Sequence, residues 1–260
     1  MNNIIIPLDF SLTSFNAAHY AADMFRGRED VTLVLYHYYR HGEDISTAEN
    51  YLNSLRAELI ASHLPIKTEL ESGDKFIECL SAFAFSQRAF MIVMGINANQ
   101  PRSRLFFGSQ CLQMTEQEIC PVLIVPEKAT FKKIDHALVT SELKFVQENP
   151  CLLAIKKILA YFKPTLHILN VDPKHYIFLA EKYREEKKKM EELMADFKPT
   201  FYFMNLFDFN DSVLTFAADK QIDMIIISPK YHDFFGKLFK TQHTKKLLHH
   251  SNVPVLAVHE

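Results

Sequence analysis

The stretch Met91–Gln110 reads MIVMGINANQPRSRLFFGSQ. Its apolar run ends at Gly95, a polar loop follows, and Gly108-Ser109 stands where a helix can begin. The chain has only six glycines, Gly27, Gly42, Gly73, Gly95, Gly108 and Gly236, and two of them lie here. A strand, a glycine turn and a helix start together bring backbone N–H groups toward a phosphate. Ala98 stands where a further glycine would ease that approach.

The stretch has a counterpart, MIIISPKYHDFFGKLFKTQH, at Met224–His243, displaced by 133 residues. The same offset carries CPVLIV at Cys120 onto VPVLAV at Val253, and TLVLY at Thr32 onto TLHIL at Thr165. It also carries Ile4-Ile5-Ile6 onto Ala137-Leu138-Val139 and Asp9 onto Glu142. One offset joining every landmark is the signature of a duplication. The charged connector EKATFKK, Glu127–Lys133, divides a first domain, 1–129, from a second, 130–260.

Within each half, apolar runs alternate with helical patterns. In the first half, strands are predicted at Asn3–Leu8, Val31–Tyr38, Ile66–Glu71, Phe90–Met94 and Val122–Val125. Helices are predicted at Ser14–Phe25, around Leu52–Ile60, at Lys75–Ser86 and from Gly108. Uninterrupted runs such as MIVM and VLIV suit parallel strands covered on both faces. The fold class is therefore α/β: two tandem doubly wound domains, each a five-stranded parallel sheet flanked by helices. In the second half, AEKYREEKKKMEELMADF reads as a solvated Glu/Lys helix with Tyr183, Met190, Leu193 and Met194 on its buried face.

The totals set bounds on function. The 260 residues are 48% hydrophobic and 23% charged, with a formal net charge of −2, so no general electrostatic attraction to nucleic acid or anionic membrane is expected. No apolar run approaches the roughly 20 residues of a membrane helix, and no secretory leader is read at the start. Cys79, Cys111, Cys120 and Cys151 have no metal-ligand spacing and read as reduced thiols, so a cytoplasmic protein is expected. Cys111 reads as a core-facing helix residue rather than a nucleophile. No Walker A pattern or SGGxDS-like loop occurs. His243, His249, His250 and His259 lack zinc-site spacing, and His37 and His41 are placed in the loop after the second strand.

IIIPLDFS at Ile4–Ser11, VMG…GS at Val93–Ser109 and CPVLIVP at Cys120–Pro126 together resemble the universal stress protein family, as a tandem pair covering nearly the whole chain. Nucleotide-binding members of that family show Gly, two residues, Gly, nine residues, Gly, then Ser or Thr. Here Gly95, Ala98 and Gly108-Ser109 keep the spacing and lose one glycine.

The resemblance implies ATP, with magnesium, at the carboxyl ends of the strands, contacted by Pro7, Asp9, Met94, Gly95, Ala98, Gly108, Ser109 and Gln110. Gly95 would admit a phosphate, Gly108-Ser109 would present helix-start N–H groups, and Asp9 would accept from an adenine or ribose edge. Arg102 and Arg104 flank the loop. In the second half Ser228, Tyr231 and Thr241, followed by Gln242, replace all three glycines, so that half is expected to be a structural partner. Domain pairing within the chain, and homodimerisation, are further implications. The expected function is stress-response binding or signalling without catalysis beyond slow ATP hydrolysis. The alternative is a nucleotide-free scaffold for dimerisation or protein interaction.

Overall fold

A computed structural model describes residues 1–96, 107–171, 181–204, 209–228, 251 and 253–258, with backbone alone for 107–109, 171, 181–182 and 209–210. The chain divides into two units, Met1–Lys132 and Lys133–Glu260.

The first unit runs β1 (Asn2–Pro7), α1 (Leu12–Met24), β2 (Val31–Arg40), α2 (Ser46–Leu59), β3 (Ile66–Gly73), α3 (Phe76–Ser86), β4 (Met91–Ile96), α4 (Phe107–Thr115) and β5 (Val122–Pro126). Its strands lie in the order β3-β2-β1-β4-β5, every pair parallel. The order reverses direction at β1, so β1 and β4 part toward different connections. That is the switch point at which doubly wound sheets open a crevice beyond the strand ends.

The residues account for these elements. Ile4, Ile5 and Ile6 are fully buried, as is most of β4, which is why these runs show no polar alternation. Ser11 caps α1, its hydroxyl oxygen accepting from Ser14 N–H at 3.2 Å. The small residues Ala17, Ala18, Ala21 and Ala22 form the buried face of α1 and let it lie close on the sheet. On α2, Leu52, Leu55 and Leu59 make the buried stripe at helical spacing.

The second unit runs β6 (His136–Thr140), α5 (Cys151–Leu159), β7 (Thr165–Val171), α6 (Glu181–Leu193), β8 (Thr200–Met204), α7 (Phe209–Asp219), β9 (Met224–Ile227) and β10 (Val255–Ala257). Its order is β10-β9-β6-β7-β8, again parallel throughout. The duplication reaches the backbone. Phe10 and Leu143, 133 residues apart, both take positive φ (61° and 51°), as do Arg88 and Gln221 (46° and 52°). Leu8 N–H donates to the Tyr36 carbonyl at 2.8 Å, and Ser141 N–H to the Leu169 carbonyl at 3.0 Å.

Three boundaries differ from the sequence reading. β4 does not stop at Met94 but includes Gly95 and Ile96, paired with Val125 and Pro126 of β5. β2 runs on to Arg40, because Tyr39 and Arg40 find partners in Ser72 and Gly73 of a longer β3, and His37, paired with Leu70, lies in the strand and not in the loop after it. The third difference separates the repeats. α1 begins at Leu12, whose counterpart is Phe145, yet α5 begins only at Cys151. Pro150 lacks an N–H, and its ring would strike the carbonyl four residues back, so the helix cannot extend farther toward its start.

Candidate functional site

The β1–α1 turn forms one side of the crevice in the first unit. Pro7 ends β1, buried and paired with Tyr36. The Leu8 carbonyl lies 2.8 Å from His37 Nδ1. A carbonyl only accepts, so Nδ1 carries the proton. Asp9 Oδ1 accepts from Ser11 N–H at 3.0 Å and from the Ser11 hydroxyl at 2.6 Å. Among the described residues its second carboxylate oxygen has no hydrogen bond. Between them, Phe10 holds a left-handed backbone, an uncommon conformation that costs a non-glycine residue about 1 kcal/mol. Its ring stacks on His37 at 4.4 Å and on Tyr51 at 5.0 Å, and this sandwich fixes the strained turn.

The end of β4 forms the other side. Gly95 is buried there for a reason the sequence reading did not supply. A Cβ at Gly95 would collide with the Thr13 carbonyl oxygen and lie 2.7 Å from Thr13 Cγ2 and 2.8 Å from the Thr13 carbonyl carbon. The glycine is therefore required by the first turn of α1, which rests on it, whatever ligand approaches from beyond the strand. Met94 is fully buried, its side chain part of the core. α4 begins at Phe107, so the backbone N–H groups of Gly108 and Ser109 fall in its first turn, where the helix dipole favours an anion. The Cys111 thiol, one turn on, lies 3.7 Å from the Gly95 carbonyl and brings the start of α4 against the end of β4. Burial pushes that thiol up to about 12, so it stays protonated, as a core residue. Gln110 is partly exposed on α4. Ala98, Arg102 and Arg104 lie outside the described residues.

The corresponding region of the second unit is built differently. Asn170 takes the place of His37 and keeps its bond, donating to the Ser141 carbonyl at 2.9 Å. The same amide donates to the Tyr183 hydroxyl at 2.8 Å, which in turn donates to the Glu142 carbonyl at 2.6 Å. A tyrosine from α6 thus hydrogen-bonds over this turn, where in the first unit Tyr51 of α2 stacks on Phe10. Ser228, in Gly95's position, is 5% exposed, and its hydroxyl has no partner among the described residues.

The α6 helix also departs from the solvated reading. Glu186 is buried, its carboxylate accepting from Val146 N–H at 2.7 Å and from Lys189 at 2.6 Å. The signal was present: Tyr183, Glu186, Met190 and Leu193 fall on one stripe at helical spacing. Tyr231, Thr241, Gln242, His243, His249, His250 and His259 lie outside the described residues. Among the described residues, no group of three or more His, Cys, Asp or Glu is arranged to hold a metal ion, and no helix is long and apolar enough to cross a membrane.

Comparisons with known proteins bear on this geometry. The family model described as "Universal stress protein family" matches residues 1–126 and 208–259. A universal stress protein from Archaeoglobus fulgidus DSM 4304 is similar in structure, with a TM-score of 0.73 at 17% identity, covering 100% of this chain and 96% of that one. A functionally unknown protein from Pseudomonas aeruginosa PAO1 gives 0.67 at 15% identity, covering 100% and 92%. The cytoplasmic domain of a prokaryotic cation chloride cotransporter gives 0.57 at 10% identity, covering 100% and 95%. At these identities the likeness is one of fold. No curated protein matches the chain.

Proposed function

Since the chain belongs to the universal stress protein family, we propose that it is a cytoplasmic stress-response module that binds ATP with magnesium in its first unit. The observation that carries the reading is the pairing of two features at the β1/β4 switch point. The Asp9 turn stands at the end of β1, and the first turn of α4, with Gly108 and Ser109, lies by the end of β4. Asp9 keeps one carboxylate oxygen for a base or ribose edge, and the α4 N–H groups suit phosphate oxygens. The residues fit such a ligand in part: Gly95, which serves α1, drops out of the phosphate cradle. Catalysis is not part of the proposal, because the Asp9 carboxylate is held in its turn by Ser11 and no base partner accompanies it among the described residues. The second unit, its crest covered by Tyr183, serves as a structural partner.

Thermal melting of the full chain in magnesium ATP tests this. Wild type is expected to gain stability saturably, by about 2.7 kcal/mol at a hundredfold excess over Kd. Gly108→Asp is expected to abolish the gain while folding normally, since an acidic residue in a helix's first turn is favourable. No gain at millimolar nucleotide would leave the scaffold reading in its place. Steady turnover at ordinary enzyme rates would overturn the non-catalytic part.

A further inference from the structure

We propose that the second unit carries a proton-binding site formed by His136 and His167, whose occupation loosens β6 from β7 and makes this unit acid-responsive. His136 opens β6 opposite Thr165, and His167 stands two residues farther along β7, opposite Leu138, with its ring against Phe216 of α7. His136 Nδ1 and His167 Nε2 are 3.1 Å apart, a direct hydrogen bond between imidazoles. His167 is only 6% exposed, stacked on Tyr202 at 5.6 Å and edge-on to Phe216 at 6.2 Å. Its other nitrogen, Nδ1, is buried with no hydrogen-bond partner among the described residues.

This arrangement suits two neutral rings. His167 Nε2–H donates to His136 Nδ1, and the orphaned Nδ1 of His167 is then a lone pair, cheaper to bury than an unmet N–H. A first proton on His136 forces it to become the donor. His167 must then carry its hydrogen on Nδ1, where nothing accepts it. A second proton leaves two facing donors, and the bond is lost.

The surrounding charges do not offset this. Lys220 lies 5.2 Å over the ring of Tyr202, on which His167 stacks. Asp223 faces His136, but its Oδ2 already accepts the N–H groups of Asp135 and His136 at 2.9 Å each. Asp135 is paired with Lys133. Burial, then His136, then Lys220 hold His167 below the usual histidine range. The sign follows from linkage. Unfolded histidines titrate near 6.5, so below that value the open state binds more protons than the closed one. Stability is present above about 6.5 and is lost as pH falls.

Hydrogen exchange on the full chain, corrected for intrinsic rates, reads this directly. Between pH 7.5 and 5.5, opening of β6 and β7 is expected to rise by up to about tenfold per pH unit for each extra proton, relative to β1 and β2. His167→Phe, which suits the aromatic surroundings, is expected to flatten that dependence. Equal dependence in both units, or an unchanged one in the variant, would overturn the proposal. Nitrogen-resolved NMR of the wild-type imidazoles gives a second reading that needs no variant. His167 is expected to remain a neutral Nε2–H tautomer below pH 6.5, and ordinary titration of both rings in the folded protein would contradict the site.

Discussion

Gly95→Ser is expected to destabilise the first unit by about 2–3 kcal/mol, although it only copies into this unit the residue that the second unit carries as Ser228. The new Cβ meets backbone, the Thr13 carbonyl, so no side-chain rotation relieves it. Either the first turn of α1 unwinds or β4 shifts from β5. The second unit shows the outcome in settled form, a helix starting six residues later behind Pro150. Hydrogen exchange should show faster opening of α1 and β4, with β6 and β7 unchanged. Unaltered protection would mean that α1 does not rest on Gly95.

The second large effect lies in the other unit. Glu186→Leu is expected to cost about 2–3 kcal/mol, because it strips a charged acceptor from the buried Val146 N–H. Lys189 is 30% exposed at its side chain and can return to water, so its loss of partner adds little. Glu186→Gln keeps an acceptor and should lose clearly less. Limited proteolysis would localise the change, with new cleavage at 143–150, the segment that Glu186 pins. A Leu variant as resistant as wild type would remove Glu186 from that role.

Much of the architecture was legible because it rests on burial. The isoleucines of β1 and the run of β4 could be recognised as strands covered on both faces, and one constant offset exposed the two-fold repeat. Gly95 has a role in packing α1 that its sequence reading did not include. A glycine at a strand end says that something approaches closely, and the sequence does not say whether that is a phosphate or the neighbouring helix. His37 falls inside the predicted strand Val31–Tyr38 and yet is assigned to the loop after it, and its pairing with Leu70 places it in β2. Phe10 gave no local sign of a left-handed backbone, since the rings that hold it, His37 and Tyr51, come from β2 and α2. Glu186 was hidden among like residues, although its place on the stripe with Tyr183 and Met190 marked it. The His136–His167 pair needed the strand register before the two could be seen as neighbours.

Equilibrium dialysis of the full chain against labelled ATP with magnesium measures how many nucleotides the protein holds. Binding is expected to saturate near one nucleotide per chain and to be lost in Gly108→Asp. Two nucleotides per chain would contradict the covered second site, and no binding at millimolar ATP would contradict the nucleotide site itself.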